Sequence, residues 1–597
     1  QFPFWNPYYC GGNILFAHPE SLIFSLSFLF TLLFGSIIGI KISFFSHLFI
    51  GLFGMYLLAR EFKLPTLASF TVAFIYMFSA QFAIRIAAGA FGTPLGMPYL
   101  PYIFLFFLKG LKESRYIIFS SLSLTIAFFS GAIYEIAFFS LFIFIYALII
   151  SLTKKNLRPI IAVIFILSFS FLLSSIKLIP TLDFINDNPR TSLFSSDESI
   201  SIEEIYVNTV KSTKVSNYYP GGVADPGSPK WWEGVIGIGY IGMFFVIIGS
   251  FVCIKKERPL LLTVILFVLI FLGKTLPISL WELLHFLPIF NSFYVVGRLS
   301  PILAFGFSII AGFGFSKINK KSLSFLFLAA LLVSLFFMNM PILRDSLKLE
   351  IPEIKKNDDF FQTIKDYNYN GEGYASSRHF LMLQGNKGDL NCIEEIRTST
   401  SVSAIAKEDL EYKGEIYLKE GGEVKIIYFS PNKIVVEVKS GKENLLVLNQ
   451  NYEKNWKVNF GDIENHYGLL SVKIPKGDYN LIFTYFPTSF IVGIILSLIS
   501  ILLAYLFIKN YNKKLIFILI IMLVFIAFYF VYGSRQHIKI PEIYNKLNED
   551  AEPYSIIEIP FTSPLFHAFR YYNEQHNKNV IWHHPSQGIT YKVHLLK

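Results

Sequence analysis

Ionisable residues are sparse in this chain, and the few at the ends of long apolar stretches are where chemistry can be done. Glu135 stands in Ser130-Gly-Ala-Ile-Tyr-Glu135, between two apolar stretches. A carboxylate there can take a proton from a reacting hydroxyl; the alternative is a solvated turn residue. Arg85 follows one apolar stretch and Arg298 opens another. Each offers the planar fork that binds phosphate oxygens two at a time, although Arg85 serves equally well as an anchor to ordinary lipid head groups. Asp183, Asp187 and Arg190 follow Pro180. On a continued helix the two aspartates, four apart, share a face that can hold a cation or a diphosphate, or they simply cap a helix end. His18 and Glu20 lie in a polar loop near the start, as part of the same site or as caps for a helix beginning near Ser21.

The elements that must position these groups follow from composition. Of 597 residues, 53% are hydrophobic and only 16% charged, against roughly 25% charged in an ordinary soluble domain. The mean hydropathy is +0.51, and apolar runs of about 20 residues, the length that crosses a bilayer, recur along the chain. A soluble enzyme is excluded. The sequence predicts an α-helical polytopic membrane protein of about twelve spanning helices, over 42–60, 66–84, 94–109, 115–133, 136–153, 159–181, 234–254, 259–276, 297–316, 322–343, 488–508 and 514–533. Residues 21–36 fit a re-entrant or interfacial helix, and the short 94–109 run fits either kind.

The formal charge of +10 would suggest nucleic acid if the cations formed one patch. They fall instead in six short clusters at alternate helix junctions: Arg60 and Lys63; Lys109, Lys112 and Arg115; Lys154, Lys155 and Arg158; Lys255, Lys256 and Arg258; Lys317, Lys320 and Lys321; Lys509, Lys513 and Lys514. Under the positive-inside rule all six can be cytoplasmic at once. That places residues 1–41, 182–233, 277–296, 344–487 and 534 onward outside a plasma membrane, and no nucleic-acid partner is expected.

The predicted division is a membrane domain over 1–343 with outer loops 1–41 and 182–233, a β-rich outer domain over 344–487, two helices over 488–533, and a small outer segment over 534–597. The β-rich part shows alternation in Val424–Phe429 and Lys433–Lys439 broken by Ser430-Pro-Asn432, which reads as a β-sandwich-like domain with Trp456 in its core. Tyr218, Tyr219 and Trp231-Trp232-Glu233 can offer aromatic platforms to a sugar, or form an interfacial belt. Cys10, Cys253 and Cys392 have no metal-ligand spacing, and a Cys10–Cys392 bridge is not expected. His567, His576, His583 and His584 are too loosely spaced for zinc and read as surface residues. No metal site is predicted; a divalent cation as cofactor is left open.

Phe4-Trp-Asn-Pro-Tyr8, Gly11-Gly12 and His18-Pro-Glu-Ser21 resemble the first outer loop of the YfhO family of bacterial membrane proteins, with its PLWNPY, GG and NPQS series. Tyr56–Arg60, Gly239-Tyr-Ile-Gly242, Leu287-Pro288, Phe293, Arg298 and Ala311–Gly314 are similar to later family motifs, as are Leu448–Tyr452, Trp456, Pro475–Gly477 and Tyr485–Pro487. Together they cover most of residues 1–508 in the family's order. The chain departs from the pattern at Tyr294, where the family has an arginine, and at Asn455, where it has a glycine. The resemblance implies a GT-C fold glycosyltransferase that moves a sugar from a polyprenyl-phosphate donor to a saccharide, lipid or protein acceptor outside the membrane. It favours Arg298, and it places the family's main acidic residue upstream of Phe4. Gln1 is not Met, so the natural N-terminus is expected to lie further upstream. The other function weighed is a transporter or flippase for a lipid-linked saccharide, which would call for midplane charges and repeated halves; no such repeat is found.

Overall fold

The computed structural model describes residues 2–187, 200–211, 233–346, 354–364, 378–390, 403–509 and 511–532, apart from 288 and 294, together with short strands at 555–557 and 579–581. The helices are α1 (Leu26–Glu61), α2 (Thr66–Met77), α3 (Ala80–Ala87), α4 (Gly92–Gly96), α5 (Leu100–Lys112), α6 (Arg115–Phe129), α7 (Ile133–Lys154), α8 (Arg158–Leu173), α9 (Ser175–Asp187), α10 (Ile202–Val210), α11 (Gly239–Lys256), α12 (Arg258–Phe271), α13 (Leu280–Leu284), α14 (Ser300–Phe315), α15 (Lys321–Ser346), α16 (Arg378–Gln384), α17 (Thr488–Ile508) and α18 (Lys513–Tyr532).

Among the described residues, nine helical stretches are long and apolar enough to cross a membrane, or ten if α8 and α9, bent by 85° at their junction, make one span. This corrects the expected twelve. All twelve apolar runs are helical, but α6 and α12 have only 15 and 14 residues. At ~1.5 Å per residue they rise only ~22 Å, short of the ~30 Å hydrocarbon core.

The stretch expected to be interfacial is the first limb of α1. Ser25 caps it by accepting from Phe28 N at 3.2 Å. The limb ends at Gly35, whose backbone (φ 77°, ψ 168°) leaves the helical region. Beyond the break, Gly39 lies directly against Phe30 and Thr31, residues that a straight helix would hold ~12 Å away. The first limb therefore doubles back on the second, and Gly35 is needed because other residues avoid that backbone conformation.

One end of the bundle gathers the basic loops. Lys112 pairs with Glu61 at 2.6 Å, Arg158 Nη2 donates to Lys112 O at 3.5 Å, and Lys513 Nζ donates to Ser114 Oγ at 2.8 Å. Glu257 interacts electrostatically with Lys154.

The opposite end carries the β-rich region. Its strands are β1 (Trp5–Asn6), β2 (Asn13–Ile14), β3 (Phe361–Thr363), β4 (Lys387–Asp389), β5 (Ile416–Leu418), β6 (Glu423–Ser430), β7 (Lys433–Ser440), β8 (Asn444–Asn451), β9 (Trp456–Val458), β10 (Ile463–His466), β11 (Leu469–Ile474) and β12 (Gly477–Tyr485). Two antiparallel four-stranded sheets, ordered β10-β11-β8-β5 and β6-β7-β12-β9, share one core containing Val436, Leu446, Leu470, Leu481 and Phe483. Period-two alternation puts these side chains on the inner faces. Trp456 sits in that core as the sequence suggests, 5.6 Å from Trp5 and 5.3 Å from Tyr485.

The first loop, assigned by sequence to the membrane domain, belongs largely to this core. Phe4, Trp5, Ile14, Phe16 and Ala17 are buried in it. Asn432 Oδ1 accepts from the backbone N–H groups of Phe4 and Trp5 (2.8 and 3.2 Å), and Trp5 Nε1 donates to Gln450 Oε1 at 3.2 Å. Asn451 Nδ2 donates to the carbonyls of Cys10 and Gly12. Cys10 is disulfide-bonded, against the sequence expectation, because folding lays this loop beside β4, where Cys10 N donates to Asp389 O at 2.8 Å. Cys253 is free and buried, and Cys392 lies outside the described residues.

Candidate functional site

At the β-domain end, charged side chains converge from five segments that are remote in sequence. The short helix α3 directs Gln81 and Arg85, one turn apart, into the protein, where they are 0% and 4% exposed. Arg85 Nε approaches Gln81 Oε1 at 3.4 Å and its Nη2 approaches Glu233 O at 3.4 Å. Gln81 Nε2 donates to Ser300 Oγ (2.8 Å), and Ser300 Oγ donates to Glu233 O (2.6 Å). These bonds fix the backbone of Glu233, just ahead of α11, against the first turn of α14.

Arg298 precedes α14 in a tight turn, and its Nε donates to Glu233 Oε1 at 2.9 Å. Its guanidinium lies 4.1 Å from the centre of the Tyr134 ring, a stacking that suits a planar cation. Glu135, next along α7, is 4% exposed, and its Oε1 accepts from Thr93 Oγ1 at 2.5 Å. Arg85 is attracted by Glu135 and Glu233 and repelled by Arg298; Arg298 also feels the charge of Glu20. Glu135 is therefore a buried carboxylate rather than a solvated turn residue.

Beneath the first loop, Lys177 is fully buried and donates to Pro19 O (2.8 Å) and Ser21 O (2.6 Å) while lying 4.8 Å from the Phe128 ring centre. Glu20 interacts with it electrostatically. The loop over His18–Ser21 is thus held by a lysine from α9. His18 Nδ1 accepts from Glu20 N at 3.3 Å, so these residues shape their own turn, and the cap of α1 is Ser25 instead.

Arg85, Arg298, Glu135 and Glu20 thus come together. Asp183 does not join them. It ion-pairs with Lys454 of the β-domain at 2.9 Å, tying α9 to the segment after β8. The helix runs on past Pro180, where the sequence ends it, to Asp187, but that side chain, Arg190, the aromatic residues of 212–232 and the C-terminal histidines lie outside the described residues.

Two members were not picked from the sequence. Glu233 was read only with the tryptophans before it, although an acid six residues ahead of a spanning helix meets the criterion that selected Arg85. Lys177 was absorbed into the apolar run 159–181, where a lone cation is itself the signal, since charge at that depth is costly. Glu233 is 1% exposed, and its second oxygen, Oε2, is buried and has no hydrogen-bond partner among the described residues. A buried carboxylate oxygen without a donor is costly.

Near the Asp183–Lys454 pair, Glu453 accepts from the backbone and side-chain N–H groups of Asn455 at 2.7 and 2.8 Å. Burial pushes its carboxyl up to about 7. Among the described residues no group of three His, Cys, Asp or Glu side chains is placed to hold a metal ion. No protein-family model matches the chain, and no curated protein matches its sequence.

Proposed function

We propose that the chain is a glycosyltransferase of the YfhO type with a GT-C architecture, using a polyprenyl-phosphate sugar as donor and acting on an extracytoplasmic acceptor. The observation that carries this reading is the convergence of Arg85, Arg298, Glu135 and Glu233 beside Glu20 at the end of the bundle away from the basic loops. A lipid carrier presents its phosphate at that level of the membrane, where two arginines can take up the charge of the leaving group.

In the transfer, the acceptor oxygen bonds to the anomeric carbon as the bond from that carbon to the phosphate oxygen breaks. The acceptor proton passes to a carboxylate. Glu233 Oε2, buried and without a partner among the described residues, is the better placed base, while Glu135 is engaged by Thr93 and offsets the charge of Arg85. Arg298, whose side chain is 16% exposed against 2% for Glu233, stands at the open side of the cluster and meets the phosphate first. Tyr134 keeps its guanidinium plane fixed, so little rotamer freedom is lost on binding.

The test is transfer of label from radiolabelled polyprenyl-phosphate sugars in membranes containing the protein. Glu233→Gln is expected to slow product formation by about 10²–10⁴-fold, the usual contribution of a general base. Full activity in that variant would remove Glu233 from the reaction. Absence of product with every donor, combined with saccharide movement across sealed vesicles, would replace the enzyme by a flippase.

A further inference from the structure

A groove separate from the charged cluster opens between α1 and α15. Its floor is the junction of α2 and α3, and its cavity volume is about 100 Å³. The walls are almost wholly apolar: Phe44, Phe45 and Leu48 from α1, Met77, Phe82 and Ile86 from α2 and α3. Phe82 and Ile86 are one turn apart and occupy a different face of α3 from Gln81 and Arg85, so the groove turns away from the charged cluster.

Three polar residues interrupt this lining: Ser79, whose Oγ donates to Tyr76 O at 2.7 Å, and Lys41 and Asn339. Lys41 stands six residues beyond the Gly35 break, and among the described residues it has no hydrogen-bond or ion-pair partner. Asn339 is 6% exposed, and its Nδ2 donates to Phe78 O (2.7 Å) and Leu335 O (2.9 Å), while its Oδ1 is buried and accepts nothing among the described residues. An apolar slot facing lipid, an unpaired cation and a buried acceptor lacking a donor specify one kind of molecule. Its chain fills the slot, its phosphate meets the ammonium, and a hydroxyl of its head group donates to the amide oxygen.

We infer that this groove binds an anionic, glycerol-headed phospholipid of the leaflet next to the β-domain, as a resident lipid distinct from any substrate. The inference stands apart from the glycosyltransferase reading and survives its failure. Phosphatidylglycerol in this slot would brace α15 against α1, whose folded-back first limb is otherwise largely exposed: Leu29, Leu32, Leu33 and Phe34 are at 49–66%.

The experiment is native mass spectrometry of the delipidated protein titrated with phosphatidylglycerol, phosphatidylcholine or a polyprenyl phosphate. Wild type is expected to take up one phosphatidylglycerol in preference to phosphatidylcholine. Lys41→Glu is expected to weaken that binding by about tenfold, the value of one well-formed charge contact. Ala83→Leu, which narrows the groove without touching the cation, is expected to lower uptake of phosphatidylglycerol as well. Unchanged binding in either variant, equal uptake of phosphatidylcholine, or displacement of phosphatidylglycerol by equimolar polyprenyl phosphate would overturn the assignment. Thermal melting of each variant without lipid separates a lost site from a lost fold.

Discussion

The two ends of the helical bundle treat charge in opposite ways. At one end Lys112 and Glu61 meet with the lysine 72% exposed, and Arg115 and Glu113 are both more than half exposed. Water already stabilises such ions, so their pairing contributes ~0–1 kcal/mol and serves chiefly to orient the chain in the membrane. At the other end Arg85, Glu135 and Glu233 are 1–4% exposed and Lys177 fully buried. Taking those ions out of water is costly, and only close partners and backbone carbonyls make it tolerable. Exposed pairs suffice for orientation; the buried arrangement is the one on which the proposed function rests.

The largest effect expected from breaking this contrast is at Arg298. Arg298→Ala leaves the Glu233 carboxylate buried without its ion pair, a loss of ~3–5 kcal/mol in stability, with transfer activity abolished. The double variant Arg298→Ala/Glu233→Ala is expected to regain stability in thermal melts without regaining activity. Recovery of activity would show that the pair is only structural.

Next in size is Trp5→Ala. Trp5 is buried at 2% exposure against Trp456 and Tyr485, and its loss is expected to cost ~3–5 kcal/mol. Limited proteolysis should then cut between the β-domain and α17 at a lower temperature than in wild type. Cutting unchanged from wild type would mean that the first loop does not hold the β-domain.

A smaller effect follows from Glu453. Its ordinary value is 4.5 and burial raises it to about 7, so between those pH values the folded protein keeps a proton that the unfolded chain gives up. Stability therefore falls as pH rises through that window and is flat above it. The β-domain should melt higher at pH 5 than at pH 8, and Glu453→Gln should shrink the difference. The smallest effect is at the basic end: Lys112→Ala should shift stability by less than ~1 kcal/mol and leave transfer unchanged.

Much of this was legible in the sequence, for reasons that differ by region. Every apolar run became a helix, since a chain segment without water must satisfy its backbone internally. Arg85, Glu135 and Arg298 could be chosen because a charge beside an apolar run is conspicuous. Glu233 stands ahead of an apolar run too, but its importance in the cluster rests on burial and on partners 65 and 148 residues away in sequence, Arg298 and Arg85. The Phe4–Tyr8 stretch was conspicuous too, yet its role is docking: Asn432 and Gln450, more than 400 residues downstream, bind it.

Sequence alone determined that this is a multi-pass helical membrane protein with a β-rich region, and which ends of its helices share a side. Those properties follow from local hydropathy and from charge at helix ends, and need no knowledge of neighbours. Only the tertiary structure decided that the first loop belongs to the β-domain core, that α1 doubles back at Gly35, that Asp183 serves the β-domain rather than the cluster, and that Glu233 is buried against Arg298. Each of these depends on which remote segments exclude water from one another, and that is settled by packing.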